Sequence, residues 1–491
     1  MAAPAKPMVR KPPSRPVEPP AAPAAAPRPS VSAPKEMGWL PDLVYTGDKF
    51  ESGLAFFADA LGRITRFSRE PADLASARRL AGQAALPGLV NGHSISWQRL
   101  LRGRMEPRVR MRVDPRSAWG EGRDRLAARL TPDDVFETAR MAFTEMLLSG
   151  ITCVGEFHEL LNRNDGGSWT ETRETAHAIL RAAHDVGIRI ALFPVATLRA
   201  GHGAAAGSAA PACGSASVEA YLRAAESLRT ELTAQYPSDE AWMGVAPASL
   251  AAVPLDAFKA IAGYAHAQRL RLQTRVGESP DDAEACLAEH GRPAIAVLSE
   301  QGVVDKRFTA VHGIHLTPEE CRILGTARAV VCACPTAEHS LALGAAPVFT
   351  LLEAGGAVAL GSGSSVQIDL LKDARLLEYD LRGQRQPRPE PAVDAAALWF
   401  HAATVAGARS LGATGGALEV GRPADFFTVN LYDPSIAGAD PGSLLPHVVF
   451  AVERRAIREV WVGARQQVSN ARHANQGLIV GRFVELQRRL W

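Results

Sequence analysis

Imidazole, carboxylate and guanidinium side chains recur directly after short apolar runs of this 491-residue sequence. Clustered imidazoles and carboxylates can bind a divalent metal or transfer protons, whereas a guanidinium group binds anions. Because short apolar runs bounded by Gly or Pro indicate buried strands, the groups that follow them lie at candidate strand ends. These groups are His93 after the first run, Glu156 and His158 at the second, Arg275 and Glu278 at the fifth, and His312 and His315 at the sixth.

Eight such runs alternate with segments of helical period from residue 86 onward. The alternation is typical of a parallel sheet covered by helices, and eight strands are the number that closes a (β/α)8 barrel. The chemistry of such barrels lies at the C-terminal strand ends, so a functional site is expected just after the runs. The candidate strands span residues 86–90, 151–157, 188–195, 242–248, 270–276, 308–313, 329–334 and 357–362.

The helix before the second strand carries local signals at both ends. Thr131 suits the N-cap and Pro132 suits the first turn. Asp133 and Asp134 lie where the helix dipole favours anions. Gly150 permits a left-handed stop before the next strand.

The segments on either side of the barrel predict a second module. Residues 37–85 and 416–475 read as short strands from both chain ends that share one small β-sandwich, with the barrel over residues 86–415. Residues 476–491 indicate a closing helix. Residues 1–36 hold 11 prolines and nine alanines and bury too little apolar surface to fold, so they are predicted to form a disordered tail.

The charge balance and the cysteine content limit which partners and which cellular location are expected. Lysine and arginine total 54 against 52 aspartate and glutamate residues, so no broad basic field is expected for nucleic acid or for an anionic membrane. No apolar stretch reaches the roughly 18 to 20 residues that cross a bilayer. Six cysteines are too few for a disulfide framework, which predicts a cytoplasmic protein. Cys332 and Cys334 are interpreted as core thiols, with half of a soft-metal site as the alternative.

Several separated motifs resemble those of the amidohydrolase superfamily. They are residues 86–95, 311–320 and 415–425, and residues 155–158, 334–338 and 376–379 most resemble the formimidoylglutamate deiminases of histidine degradation. The resemblance covers roughly residues 40–490. It implies a metal-dependent (β/α)8 barrel beside a small β-sandwich, and a homodimer.

The resemblance also implies one catalytic divalent metal, zinc or iron. Family members bind it through a His-x-His pair after strand one, a His at strand five and an Asp after strand eight. The corresponding positions here are His93, Ile95, Arg275 and Gly363, and among them only His93 has a usual metal-binding side chain. The comparison predicts that the family's metal site does not form, so that no metal cofactor is expected.

Other pocket positions of the family are retained. Glu278 and His312 correspond to residues that take part in proton transfer and are the candidate catalytic residues. Gln98, Arg275 and His93 are the candidate ligand-binding residues, and Arg275 suggests a small anionic ligand. The two candidate catalytic residues have structural alternatives. The alternative for His312 is a buried, hydrogen-bonded imidazole, and the alternative for Glu278 is a salt bridge to Arg275.

Other positions of the pocket are changed. Gly120, Ala248 and Ala251 stand about where the family grips the glutamate moiety with Arg, His and Arg, so formimidoylglutamate is not the expected substrate. The family has a Gly-Ser-Asp-Ser-His motif, and at the position of its His this sequence has Ser365. A replacement metal site could be built from His158, His315 and His339 together with Glu156.

Two functions follow from these positions. The first is a deiminase-like pseudoenzyme without metal that binds a partner or a small anion. The second is an active amidohydrolase of the deiminase or deaminase type that cleaves a C–N bond with an altered site. Loss of three donors at the ligand positions favours the first, whereas Gln98, Glu278 and His312 favour the second.

Overall fold

The computed structural model describes residues 36–105, 114–160, 169–205, 207–208, 214–384 and 394–491. The predicted disordered tail lies outside these residues, except for Glu36, which begins the first strand. None of the helices within the described residues is long and apolar enough to cross a membrane.

The elements are numbered in chain order. The strands are β1 (Glu36–Tyr45), β2 (Phe50–Glu51), β3 (Ala55–Asp59), β4 (Ile64–Ser68), β5 (Arg78–Pro87), β6 (Leu89–Ser94), β7 (Ile151–His158), β8 (Arg189–Ala196), β9 (Ala241–Met243), β10 (Ala246–Pro247), β11 (Leu272–Val276), β12 (Phe308–His312), β13 (Val330–Ala333), β14 (Ala357–Leu360), β15 (Phe426–Asn430), β16 (Ile457–Val462), β17 (Arg465–Ser469) and β18 (Arg472–His473). The α-helices are α1 (Pro71–Ser76), α2 (Pro115–Ala127), α3 (Pro132–Leu148), α4 (Trp169–Val186), α5 (Val218–Gln235), α6 (Leu255–Ala267), α7 (Pro280–His290), α8 (Ala294–Glu300), α9 (Pro318–Thr326), α10 (Pro335–Ser340), α11 (Val348–Glu353), α12 (Leu370–Gln384), α13 (Ala395–His401), α14 (Gly407–Leu411), α15 (Leu444–Phe450) and α16 (Gln476–Leu490).

The predicted parallel barrel is confirmed. Strands β6 to β10 form one parallel set and β11 to β14 form another. A bridge between Val245 and Leu272 joins the two sets at one edge, and a bridge between Ser94 and Gly363 joins them at the other. The sheet therefore closes on itself, and the C-terminal strand ends meet at one mouth.

The boundary of the first barrel strand differs from the prediction. The apolar run at 86–90 spans the end of β5 and the start of β6, with Gly88 between them. Leu86 and Pro87 pair with Phe427 and Phe426 of β15, outside the barrel. Gly88 lies against Thr152, and a Cβ at this position would lie 2.1 Å from the threonine hydroxyl oxygen, so the junction between the two strands requires glycine.

Strands from both chain ends form the small β-sandwich. Their order is β18-β17-β16-β15-β5-β1-β3-β4, with β2 paired to β1. Two strands separate β1 from β16, yet the ring centroids of Trp39 and Trp461 lie 5.2 Å apart. The sheet therefore folds over an aromatic core, in which Phe426 stacks on Trp461 and Phe56 stacks on Trp39.

Helix α3 begins where the sequence predicts. The Thr131 hydroxyl accepts a hydrogen bond from the backbone N–H of Asp134, and the Asp134 carboxylate accepts one from the backbone N–H of Thr131. This reciprocal capping satisfies two backbone donors at the start of the helix. Gly150 follows the helix with a φ of +80°, so the chain turns into β7 without strain.

Candidate active site

The mouth of the barrel brings together the four positions that correspond to the family's metal ligands. The backbone N–H of Ile95 donates to the carbonyl of Gly363, and that of Gly363 donates to the carbonyl of His93. Arg275 lies one residue before the end of β11. Gly363 has a φ of +53°, and a Cβ there would lie 2.8 Å from the Cβ of Ala337, so a larger residue would require a backbone shift. The correspondence of these positions to the family's ligands remains a prediction.

His93 is a neutral imidazole with one free nitrogen. Gln273 donates from its amide nitrogen to the carbonyl of Gly92, and its amide oxygen therefore faces the Nδ1 of His93 at 3.3 Å. This contact places the proton on Nδ1, and the buried Nε2 has no hydrogen-bond partner among the described residues. Burial, with smaller effects of His312 and Arg275, lowers the pKa of His93 to about 3.

Arg275 points into the mouth, where it forms an ion pair with Glu159. Its Nη1 lies 3.3 Å from the Glu159 carboxylate, and its guanidinium carbon lies 5.5 Å from the ring centroid of Phe157. The Gln98 amide also donates to Glu159 at 3.1 Å and accepts from the Trp119 indole at 3.2 Å. Gln98 and Arg275 are thus held by one carboxylate that the sequence analysis missed, although Glu159 directly follows β7.

The predicted salt bridge between Arg275 and Glu278 is wrong as a direct contact. Among the described residues, Glu278 has no ion pair within 4 Å. Burial opposes ionisation of Glu278, but the charges of Arg275 and His312 outweigh it and lower its pKa below the usual value. Glu278 is therefore an ionised carboxylate that faces the mouth.

A cavity of about 790 Å3 is lined by Glu159, Arg275 and Glu278. Gly120 and Ala251 also line it, whereas Ala248 does not. Charged side chains of both signs line its wall: Arg116, Arg123, Arg199, Arg275, Asp114, Asp124, Glu159, Glu278, Asp281 and Asp282. A wall with both signs of charge fits a zwitterion better than a simple anion.

A second group of polar residues lies buried at the ends of β12 and β13. The Nδ1 of His312 lies 3.0 Å from a carboxylate oxygen of Glu338, which also accepts the backbone N–H of Cys334 at 2.7 Å. One ligand atom from each of the three residues lies within 4.8 Å of the other two. The second oxygen of Glu338 is buried without a partner among the described residues. Imidazole, thiolate and carboxylate are donors that zinc accepts.

The residues proposed for a replacement metal site remain apart. The Nε2 of His158 lies 3.1 Å from the Thr175 hydroxyl, and His339 pairs with Asp380 at 2.8 Å. No candidate metal cluster within the described residues combines Glu156, His158, His315 or His339. The cluster that does form was missed because Cys334 was interpreted as a core thiol. The sequence signal for this cluster was the Cys-Pro-Thr-Ala-Glu segment. It forms the first turn of α10, which brings the Glu338 carboxylate back to the backbone of Cys334.

Glu156 provides a pH-dependent prediction. Its carboxylate accepts hydrogen bonds from the backbone N–H and the hydroxyl of Ser96 at 2.7 and 2.6 Å, but burial still raises its pKa to about 8. A raised carboxylate pKa stabilises the fold fully below the unfolded pKa of about 4.3, and this contribution is lost as pH rises towards 8. Glu156→Gln should therefore become more stable relative to the wild type between pH 5 and pH 9, as measured by urea unfolding. A difference that does not vary with pH would contradict this assignment.

Comparison with known proteins identifies relatives of the whole barrel and sandwich. Residues 84–468 match the Amidohydrolase family. The chain is 32% identical over 426 residues to formimidoylglutamate deiminase of Pseudomonas aeruginosa, covering 85% of this chain and 92% of that protein. An amidohydrolase from Brucella melitensis superposes with a TM-score of 0.83 at 25% identity, covering 92% and 99% of the two chains. An adenosine deaminase from Xanthomonas campestris with bound zinc superposes with a TM-score of 0.78 at 22% identity, covering 92% and 98%.

The prediction that no metal cofactor is expected is wrong. It rested on the four positions His93, Ile95, Arg275 and Gly363, whereas zinc is present in the solved adenosine deaminase. The described residues also contain the buried donor cluster at the ends of β12 and β13. A divalent metal therefore has candidate ligands in this chain that the four positions do not include.

Proposed function

Since the chain belongs to the amidohydrolase family, we propose that it hydrolyses a C–N bond in a small molecule that bears an amidine or amino group and a carboxylate. This is the second of the two functions that the sequence left open. It replaces the inactive binding protein, because His312, Cys334 and Glu338 offer the donors that the four family positions lack. The homodimer and the cytoplasmic location remain predictions.

The observation that carries the proposal is the buried cluster of His312, Cys334 and Glu338. All three side chains are buried, and each contributes one donor atom to the same small volume. The residues that would hold a divalent ion are these three. Such an ion would lower the pKa of a bound water molecule, and hydrolysis of an amidine or an amino group requires such a nucleophile.

Glu278 is the group that moves protons. Because it is ionised and lines the cavity, its carboxylate can accept a proton from the attacking water and return it to the departing nitrogen. Departure of ammonia needs this proton, since an amide anion is a poor leaving group. His93, which stays neutral, can accept a hydrogen bond at its free Nε2.

The charged wall of the cavity orients the substrate. The guanidinium group of Arg275 is fixed by Glu159 and presents its remaining N–H groups to a substrate carboxylate. Asp281 and Asp282 provide acceptors for a cationic amidine. This arrangement supports a zwitterionic substrate rather than the simple anion that Arg275 alone suggested.

The reaction is tested by ammonia release from N-formimidoyl amino acids and from aminated purines, using full-length protein supplied with zinc. We expect turnover of at least one amidine that carries a carboxylate, and weaker turnover of the matched amidine without it. Formimidoylglutamate belongs in the panel because Gly120 and Ala251 predict poor binding of its second carboxylate. Absence of ammonia release from every compound by protein with a full complement of zinc would refute the proposed hydrolysis.

The metal site is tested separately by elemental analysis after dialysis. We expect about one zinc per wild-type chain, and at least about tenfold weaker zinc affinity for Cys334→Ser, because replacing a ligand removes a metal bond. Cys153→Ser is the matched control, since Cys153 is a buried free thiol of β7 outside the cluster. Equal zinc retention by the two variants, or no zinc in the wild type, would refute this metal site.

A further inference from the structure

A cleft at the other end of the barrel has seven arginine and lysine residues among the sixteen described residues that line it. Its volume is about 750 Å3, and no aspartate or glutamate is among the described residues that line it. Its walls come from the last turns of α5, from the segments that enter β9, β11, β12 and β13, and from the end of α14. The cationic residues of the cleft are Arg229, Arg269, Arg271, Lys306, Arg307, Arg328 and Arg409.

Most of these cations lack a carboxylate partner. Arg229 pairs with Glu226 at 2.6 Å and Arg307 pairs with Asp305 at 2.9 Å. The other five form no ion pair within 4 Å with the part of the chain that the structure describes. Arg271 instead donates to the carbonyl of Lys306 at 2.8 Å. Like charges are thus concentrated in one concave surface, which is costly unless an anion binds there.

Two of the arginines occupy positions that favour glycine. Arg269 and Arg328 have φ values of +56° and +53° and follow the last turns of α6 and α9. The backbone N–H of the residue after each arginine donates a hydrogen bond to a carbonyl of the preceding helix, that of Ala265 in α6 and that of Leu324 in α9. Each arginine is therefore the left-handed residue that ends its helix. A non-glycine residue in this conformation costs about 1 kcal/mol or more. The helix ends therefore do not explain the choice of arginine, whereas a need for positive charge in the cleft does.

We propose that this cleft binds a small anion that carries two or more phosphate groups. The volume suits one small molecule and is too small for a folded partner. Five uncompensated cations match the several negative charges of a di- or triphosphate. The hydroxyls of Thr233 and Ser238 and the indole of Trp242 also line the cleft. The site is independent of the proposed hydrolysis, because its residues lie at the opposite strand ends.

Binding is measured by calorimetry with inorganic triphosphate and full-length protein at about 20 mM and 150 mM salt. We expect one triphosphate per chain and weaker binding at the higher salt. Arg269→Gly combined with Arg328→Gly should weaken the affinity at least about tenfold. The same variant should melt at a temperature no lower than that of the wild type, because glycine adopts the positive φ without strain.

Matched controls separate charge from backbone. Arg482→Gln combined with Arg488→Gln removes two exposed cations from α16, and Ala464→Gly combined with Ala471→Gly changes two residues of φ +60° and +59° outside the cleft. Both should bind triphosphate as the wild type does. Equal weakening by the α16 variant, or absence of triphosphate binding at low salt, would overturn the proposal. Tighter binding of a single-stranded oligonucleotide that spans several chains would overturn it in favour of a nucleic-acid surface.

Discussion

Glu278→Gln is expected to lower kcat/KM for C–N hydrolysis by about 100-fold to 10,000-fold, the range for loss of a general acid–base group. The amide keeps the shape of the side chain but cannot accept a proton from water. The arginine that lowers the pKa of Glu278 also keeps it ionised in mild acid. We therefore expect the acid limb of the wild-type pH profile below the usual range of a glutamate, and its loss in the variant.

The control for this prediction lies on the next helix. Glu284 is an exposed carboxylate of α7, and Glu284→Gln should leave kcat/KM unchanged. Zinc content should be the same in both variants, since neither residue belongs to the cluster of His312, Cys334 and Glu338. Full activity of Glu278→Gln would show that another group transfers the proton.

Asp425→Ala is expected to lower the free energy of unfolding by about 3 kcal/mol, the lower end of the range for breaking a buried ion pair, because Asp239 at 3.7 Å still compensates part of the Arg189 charge. Asp425 accepts two hydrogen bonds from Arg189, at 2.7 and 3.2 Å, and one from the backbone N–H of Gly463 at 2.6 Å. The two side chains are only 2% and 7% exposed. The pair joins β8 of the barrel to the segment that leads into β15 of the sandwich, so its loss should loosen the two units together.

Urea unfolding measures this effect, with Glu419→Ala as the control. Glu419 forms an ion pair with Arg422 on the surface, where its side chain is 58% exposed. Its removal should change stability by less than about 1 kcal/mol. A similarly small effect of Asp425→Ala would show that solvent or Asp239 compensates the charge of the buried guanidinium.

The order of barrel elements was predictable because its signals are local. Apolar runs of strand length and the capping residues of α3 act within a few positions of one another, so periodicity and helix caps reveal them. The motif around His93 and the one around His312 likewise indicated the family. The same reasoning misplaced the first barrel strand, because the apolar run at 86–90 contains the end of β5 and the start of β6, which pair with different strands.

The partners of the charged groups could not be predicted in this way. Glu278 stands three residues from Arg275, which suggested a pair, but Glu159 comes from another strand 116 positions earlier and lies 3.3 Å away. Residues three apart across the end of a strand have no fixed geometry, whereas barrel closure brings the ends of β7 and β11, which are not neighbours in the sheet, to one mouth.

The sequence by itself determined the fold family and the order of the barrel strands and helices, and it identified Arg275 and Glu278, but not Glu159, among the charged residues at the mouth. Only the tertiary structure decided that His312, Cys334 and Glu338 form one donor cluster and that unpaired cations collect at the opposite end. The physical reason is the length scale of the forces. Backbone propensity and burial act along the chain, whereas coordination and charge compensation depend on distances of a few ångströms between segments that barrel closure brings together.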